Sequence, residues 1–182
     1  MIALDSATNM SEQPLSAGVV VMGVAGCGKS SLGAAVAAAE NLPLIEGDDH
    51  HSTASRVKMS QGIALTDEDR DGWLHTLGRL LQDHPQGVVL TCSALKRVYR
   101  DRLRAACPGL KFLFLDIDQS HAAQRVAARG NAHFFSSSLV DSQFATLQSP
   151  VGEPGVLRLD ALLDRSTLQA QASAWLHSQE VV

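Results

Sequence analysis

The sequence has few of the features that mark secreted, membrane or nucleic-acid-binding proteins. Its three cysteines are odd in number and show no C-x-x-C spacing, which disfavours both a disulfide framework and a zinc site. No apolar run approaches the roughly 18 residues that a membrane-spanning helix needs. The net charge of −4 argues against nucleic acid or an anionic membrane as the main partner. These absences favour a reduced, cytoplasmic protein.

The length of 182 residues suits a single domain with its own core. The first residues are small and polar and lack the basic start and apolar centre of a signal peptide. We therefore expect a disordered tail over residues 1–16, unless translation begins at Met10, and one domain over residues 17–182. Neither internal repeats nor low-complexity segments divide the domain further.

Short apolar runs alternate with longer helical patterns along the chain. This alternation is typical of an α/β protein with a mostly parallel sheet between layers of helices. The predicted strands are Gly18–Met22, Leu42–Ile45, Val88–Cys92, Lys111–Asp116 and Val156–Asp160. The predicted helices are Lys29–Glu40, Thr53–Gln61, Asp67–Gln82, Lys96–Ala106, Ser120–Arg129, Ser138–Leu147 and Ser166–His177. Ligands of such sheets collect at the carboxyl ends of the strands, so the residues that follow each strand matter most.

The first predicted strand runs into the pattern G-x-x-x-x-G-K-S, from Gly23 to Ser30, and then into an Ala-rich helix. This strand, loop and helix order is the context of a phosphate-binding P-loop, whose glycines allow positive φ and whose helix directs its positive dipole end at the anion. Lys29 is predicted to reach the terminal phosphates and Ser30 to hold Mg²⁺. A glycine-rich turn in a structural loop is the alternative. The predicted nucleotide-binding residues of the loop are Gly23, Val24, Ala25, Gly26, Cys27, Gly28, Lys29, Ser30 and Ser31.

An acidic segment, Glu46–His51, follows the second predicted strand, about 20 residues after the P-loop. An acid at this place faces the transferable phosphate, where it can accept the proton of an attacking hydroxyl or bind Mg²⁺ through water. We expect Asp48 to have this role. The alternative is that Asp48 and Asp49 are solvated turn residues.

Beyond the P-loop, the chain resembles the P-loop gluconate kinases in three blocks, Glu46–Leu74, Cys92–Arg104 and His133–Pro150. These kinases are relatives of shikimate kinase and the nucleoside monophosphate kinases. Their sequences are EGDDHHSTASRVKMSQGIALTDEDRDGWL, CSALKRVYRDRLR and HFFSSSLVDSQFATLQSP. The resemblance implies a three-layer P-loop kinase fold with a helical lid. It also implies ATP-dependent phosphorylation of D-gluconate to 6-phosphogluconate with Mg²⁺, often by a homodimer.

The resemblance also implies substrate contacts. Gluconate carries one carboxylate and a row of hydroxyls, so its site needs cations and short polar groups, and an Arg suits a bidentate grip on the carboxylate. This sequence departs from the family at three positions. The family commonly has Pro where this chain has Ser52 and Ala64, and the loss of the two prolines predicts a looser segment there. The family commonly has Asn where this chain has Ser55, and the loss of that Asn predicts one polar contact fewer to the sugar acid. The predicted substrate-binding residues are Asp48, His51, Lys58, Arg70, Ser93, Lys96 and His133. The alternative for each of the cations Lys58, Arg70 and Lys96 is a solvated helix face, and the alternative for His51 is a packing or surface position.

Arg125 and Arg129 lie four residues apart on a predicted helix and face the same way. They precede a break at Gly130 and Asn131, so we expect a lid over about residues 125–140. In phosphoryl transfer, arginines of a closing lid neutralise charge while the lid excludes water. Arg129 is therefore a predicted catalytic residue beside Lys29 and Asp48, and Arg125 is a predicted nucleotide contact. The alternative is an ordinary helix with an exposed basic stripe.

Three rival functions are compatible with a P-loop. The first is a kinase of another small sugar acid or of a shikimate-like substrate. The second is a GTPase-type switch, but the sequence lacks the N-K-x-D that reads guanine. The third is an inactive binding module, which would be expected to have lost Lys29 or Asp48. The gluconate kinase is therefore the preferred prediction.

Overall fold

The computed structural model describes residues 18–129 and 137–178. The predicted N-terminal tail, the centre of the predicted lid and His133 lie outside these ranges. The strands are β1 (Val19–Met22), β2 (Leu44–Glu46), β3 (Val89–Thr91), β4 (Lys111–Asp116) and β5 (Val156–Asp160). The helices are α1 (Lys29–Ala39), α2 (Thr53–Ser60), α3 (Asp67–Gln82), α4 (Arg97–Ala106), α5 (Gln119–Ala128), α6 (Ser137–Thr146) and α7 (Arg165–Ser178), with a 3₁₀ helix at Gly47–His50.

The five strands form one sheet in the order β2-β3-β1-β4-β5, and all the pairs are parallel. The central strand β1 is fully buried, and its alternate residues serve opposite faces of the sheet. Val19 and Val21 pack with residues of α1 and α7, whereas Val20 and Met22 pack with residues of α3 and α4. The predicted three-layer α/β fold is therefore confirmed.

The predicted boundaries match the structure to within two residues. The largest shift is at β2, which begins at Leu44 rather than Leu42. Pro43 has no N–H to donate, and its carbonyl accepts from Val89, so regular pairing starts only after it. The 3₁₀ helix at Gly47–His50 was not predicted.

Gly47 fixes this 3₁₀ helix against the neighbouring strand. A Cβ built on Gly47 would lie 2.2 Å from the carbonyl oxygen of Thr91, so only glycine allows this approach. The Nε1–H of Trp73 on α3 donates to the Gly47 carbonyl at 2.8 Å from another side. The acidic segment after β2 is thereby held at the carboxyl edge of the sheet, next to the loop that follows β1.

Candidate active site

The loop between β1 and α1 has the backbone that its motif predicts. Gly23, Gly26 and Gly28 have φ values of 140°, 82° and 103°. A Cβ on Gly23 or Gly26 would lie 2.8 Å or 2.6 Å from a backbone carbonyl oxygen, so close packing as well as φ demands glycine there. Gly28 is the residue that caps the N-terminus of α1. The loop therefore presents backbone N–H groups and a helix N-terminus at one point, which suits an anion.

Lys29 lies over this loop. Its ammonium group donates to the carbonyl oxygens of Gly23 at 3.0 Å and Val24 at 3.1 Å. These contacts hold the positive charge beside the cavity that the loop borders, since Lys29 also lines that cavity. A phosphate bound on the loop would therefore meet a cation that is already in place.

Ser30 has an acidic partner that the sequence reasoning did not assign. Its hydroxyl donates to Glu46 at 3.0 Å, and the hydroxyl of Thr91 donates to the same carboxylate oxygen at 2.6 Å. A hydroxyl and a carboxylate oxygen are ligands that suit Mg²⁺, which also keeps waters and phosphate oxygens as ligands. The described residues contain no cluster of three or more His, Cys, Asp or Glu that could hold a metal by itself. The signal that could have identified Glu46 is its place at the very end of β2.

A cavity of about 280 Å³ opens between the P-loop, the segment after β2, α3 and α6. It brings together most of the residues predicted from four separate parts of the sequence. These are Ala25, Gly26, Gly28, Lys29, Ser30, Asp48, His51, Arg70, Ser93 and Arg129, joined by Met59, Ala64, Leu65, Trp73, Val126, Leu139, Ser142 and Gln143.

A second cavity, of about 330 Å³, lies on the other side of the P-loop. It is lined by Cys27 and Ser31 of the P-loop segment and by Arg125, and it shares Gly26, Gly28 and Arg129 with the first cavity. The guanidinium of Arg125 donates to the carbonyl of Ala161 at 2.9 Å and to that of Cys27 at 3.5 Å. Arg129 is thus placed at the junction of the two cavities, directly after α5.

His51 is buried against an aromatic ring. Its imidazole stacks on Trp73 with a centroid distance of 4.2 Å and an angle of 17°, and its Nε2 lies 3.7 Å from the Asp48 carboxylate. Burial lowers the pKa of His51 below its ordinary value, and Arg70 and Arg56 add to this, while Asp48 opposes it. A neutral imidazole can both donate and accept a hydrogen bond, and among the described residues its buried Nδ1 has no partner.

The other predicted cations divide into two groups. Arg70 lines the first cavity and donates to the carbonyl of Leu65 at 2.5 Å, and its guanidinium lies 5.8 Å from the centre of the Tyr99 ring. Lys58 and Lys96 are not among the residues that line the cavity; each ammonium instead contacts an acid in the first turn of α3, Asp69 and Asp67 respectively, at 2.7 Å. The hydrogen bond from Lys58 and the cap formed with Thr66 hold the pKa of Asp69 down to about 2.

Ser93 is held in the cavity by its backbone. The carbonyl of Ser93 accepts from the N–H of Gly23 at 3.4 Å, and Ala94 has a positive φ of 46°. Arg100 on α4 is completely buried and donates to the carbonyls of Ala94 and Leu95 at 2.8 and 3.1 Å. Its guanidinium also pairs with Glu153 at 2.5 Å. This buried arginine fixes the turn that carries Ser93, a role that the motif alone did not reveal.

Ser52, Ser55 and Ala64, the three residues that depart from the family pattern, lie in or near α2. Ser52 caps the N-terminus of α2, where its hydroxyl oxygen accepts from the N–H of Ser55 at 3.1 Å. Ser55 is buried, and its hydroxyl pairs with that of Ser52 rather than lining the cavity. Ala64 does line the cavity.

Comparison with known proteins identifies the family of this chain. Residues 25–145 match the family model described as shikimate kinase. The thermosensitive gluconokinase of Escherichia coli is 39% identical over 84% of this chain and 83% of its own length, and the gluconokinase of Gluconobacter oxydans is 40% identical over 78% and 80%. The chain belongs to the gluconokinase family. A crystal structure of a gluconokinase from Sinorhizobium meliloti superposes with a TM-score of 0.84 at 43% identity, covering 91% of this chain and 94% of that one.

The family match and the structural similarity both indicate a P-loop kinase. Within residues 18–129 and 137–178, no helix has both the length and the apolar character that crossing a membrane requires.

Proposed function

We propose that this protein transfers the terminal phosphoryl group of ATP to D-gluconate and releases 6-phospho-D-gluconate and ADP. The observation that carries the proposal is the first cavity, in which the P-loop with Lys29, the carboxylate of Asp48 and the guanidinium of Arg70 share one space. Such a space can hold a phosphoryl donor, a hydroxyl acceptor and an acid group together. The relatives named gluconokinase support gluconate as the acceptor.

Asp48 is the proposed general base. It follows β2, lines the first cavity together with Lys29, and has its side chain 61% exposed, so an incoming hydroxyl can reach it. As the hydroxyl oxygen attacks phosphorus, its proton passes to Asp48 while the bond to the leaving ADP oxygen breaks. Lys29 and Arg129 balance the charge that develops on the transferring group and the leaving oxygen.

The two cavities support further roles for four of the predicted residues. Arg70 is proposed to grip the gluconate carboxylate, and His51 and Ser93 to bond its hydroxyls. Arg125 and the second cavity are proposed to receive the nucleoside side of ATP. Lys58, Lys96 and His133 remain predicted substrate contacts.

The donor set at Ser30 and Glu46 fits Mg²⁺, since both supply hard oxygen ligands next to the phosphate loop. These two residues are proposed to hold the ion, directly or through water. When bound, Mg²⁺ would neutralise charge on the terminal phosphates.

We also propose a cytoplasmic homodimer that does not bind nucleic acid. The dimer rests on the family resemblance, and the lack of nucleic-acid binding rests on the net charge of −4. Light scattering should give twice the chain mass of 19.4 kDa.

The function is tested by ADP release with a panel of gluconate, other sugar acids, shikimate and nucleoside monophosphates. We expect turnover with gluconate in Mg²⁺-ATP and little with the others. Faster turnover of any other acceptor would overturn the choice of substrate.

The base is tested by Asp48→Asn. We expect kcat to fall by about 10²–10⁴-fold, the usual contribution of a general base, while ATP still binds. Asp49→Asn is the matched control, because Asp49 is the next residue, is exposed and does not line the cavity. Near-normal turnover of the Asp48 variant would contradict the assignment.

A further inference from the structure

Gln143 on α6 reaches across the molecule to the P-loop. Its carboxamide oxygen accepts a hydrogen bond from the backbone N–H of Ala25 at 2.6 Å. The two residues are 118 positions apart, and this bond ties α6 to the phosphate loop. Because a backbone N–H can only donate, the oxygen of the amide must face Ala25.

The position of this contact on the loop is specific. Ala25 and Gln143 both line the first cavity, which also holds Lys29, Asp48 and Arg70, and neither lines the second cavity, where Arg125 lies. A nucleotide that spans both cavities across Gly26 and Gly28 therefore presents its terminal phosphate, and not its nucleoside, to Gln143.

The orientation of the amide leaves its nitrogen for another partner. None of the described residues accepts a hydrogen bond from this nitrogen, and it is not among the polar atoms that are buried without a partner. A primary amide nitrogen carries two N–H donors and is neutral at every pH of interest. Such a donor, carried by α6, can stabilise negative charge without a change of its own charge.

We infer that Gln143 donates a hydrogen bond from its amide nitrogen to the terminal phosphoryl group of ATP, while its oxygen stays on the Ala25 N–H. The anchored oxygen sets the direction of the nitrogen, so the loop positions the donor that completes its own phosphate site. This inference rests on the proposed function, in that it takes ATP as the phosphoryl donor.

The decisive variant is Gln143→Glu. A glutamate keeps an oxygen for the Ala25 N–H and nearly the same shape, but it replaces the two N–H donors by a negatively charged oxygen. If Gln143 faces the terminal phosphate, repulsion should weaken binding of Mg²⁺-ATP by about tenfold or more and binding of ADP by less than about threefold. Calorimetric titration of both nucleotides measures this ratio, and kcat with gluconate should fall by about a hundredfold.

Two controls test whether the effect depends on the place of Gln143 beside the P-loop. Gln148→Glu is matched, because the Gln148 amide oxygen accepts from the N–H of Arg97 at 2.7 Å, yet Gln148 is exposed and lines neither cavity. It should bind both nucleotides as the unmodified protein does. Gln143→Met removes oxygen and nitrogen alike, so it should lower both kcat and the melting temperature.

The inference is overturned if Gln143→Glu binds ATP and ADP as tightly as the unmodified protein, which is the result for a residue that only ties α6 to the loop. It is also overturned if ATP and ADP weaken equally, or if only the KM for gluconate changes. The nucleotide titrations need no acceptor. An unmodified protein that fails to phosphorylate gluconate would therefore refute the proposed substrate, and the ATP to ADP ratio would still decide the role of Gln143.

Discussion

His51 and Trp73 show how one side chain can be held in place by its neighbour. The indole ring covers one face of the imidazole, and its own N–H is used on the Gly47 carbonyl, so neither ring is free to turn. Burial then disfavours the charged imidazolium, which lowers the pKa of His51. At neutral pH the site therefore holds a neutral imidazole ring beside the carboxylate of Asp48.

The lowered pKa of His51 gives stability a pH dependence with a definite sign. Below its ordinary pKa of about 6.5 the unfolded state takes up a proton that the folded state resists, so the free energy of unfolding falls as the pH falls. Between pH 7.5 and 5.5, the unmodified protein should lose more stability than His51→Gln in urea unfolding. His75→Gln, at an exposed position on α3, should follow the unmodified protein. Equal losses in the His51 variant would contradict the argument.

Arg70 provides a second prediction on the residue scale. A lysine has the charge but not the planar fork of the guanidinium, so Arg70→Lys should lose one charge-assisted hydrogen bond to the substrate carboxylate. We expect the KM for gluconate to rise by about tenfold, while the KM for ATP stays within about twofold. Arg79→Lys, on the exposed side of the same helix, is the control. An unchanged KM for gluconate in steady-state kinetics would place the carboxylate elsewhere.

Among the elements, α3 and α4 hold the segments that carry candidate site residues. The first turn of α3 is closed by a capping box between Thr66 and Asp69, and its acids hold the ammonium groups of Lys58 and Lys96. The two lysines thereby join α2 and the turn after β3 to one helix end. On α4, the buried Arg100 bonds to the same turn and to Glu153. The motif residues around Cys92–Arg104 thus shape the turn that carries Ser93.

Breaking the buried pair should be costly. Arg100→Met removes a fully buried cation and takes its hydrogen bonds from the Glu153 carboxylate and from three backbone carbonyls, so we expect a loss of about 3–5 kcal/mol in the free energy of unfolding. Arg102→Met is the control, since Arg102 is exposed and its pair with Asp71 should contribute at most about 1 kcal/mol. Denaturant titration of both variants measures the difference. Similar losses in the two variants would show that burial of Arg100 has no special effect.

For the molecule as a whole, the site depends on parts of the chain that only the fold assembles. The P-loop follows the central strand β1, and the acidic segment follows the edge strand β2. Gln143 of α6 lies 118 positions after Ala25 of the P-loop. Ligands bound between them should join these parts together. Binding to the folded state alone stabilises it by RT ln(1 + [L]/Kd).

Mg²⁺-ATP at a hundred times its Kd should therefore stabilise the protein by about 2.7 kcal/mol and raise the melting temperature accordingly. Lys29→Ala should show a much smaller rise at the same nucleotide concentration, because the variant lacks the cation over the loop. Differential scanning calorimetry measures both. An equal rise in the two proteins would mean that Lys29 does not contact the nucleotide.

The sequence by itself predicted the elements of this protein well, because their signals are local. Periodicity placed β4, β5 and α3 at their observed bounds. The glycine pattern predicted the positive φ values of the P-loop for the same reason, since φ is a property of single residues. Family resemblance added the proposed acceptor substrate.

The tertiary structure decided which polar side chains meet. Lys58 and Lys96 were predicted from their charge, and the structure pairs each of them with an acid in the first turn of α3. Gln143 had no distinguishing local signal, and Glu46 had only its place at the end of β2. The two residues reach Ala25 and Ser30 through the order of the strands and the return of α6. Charge and periodicity can be read along a chain, whereas a pairing across 118 residues depends on the folded path between them.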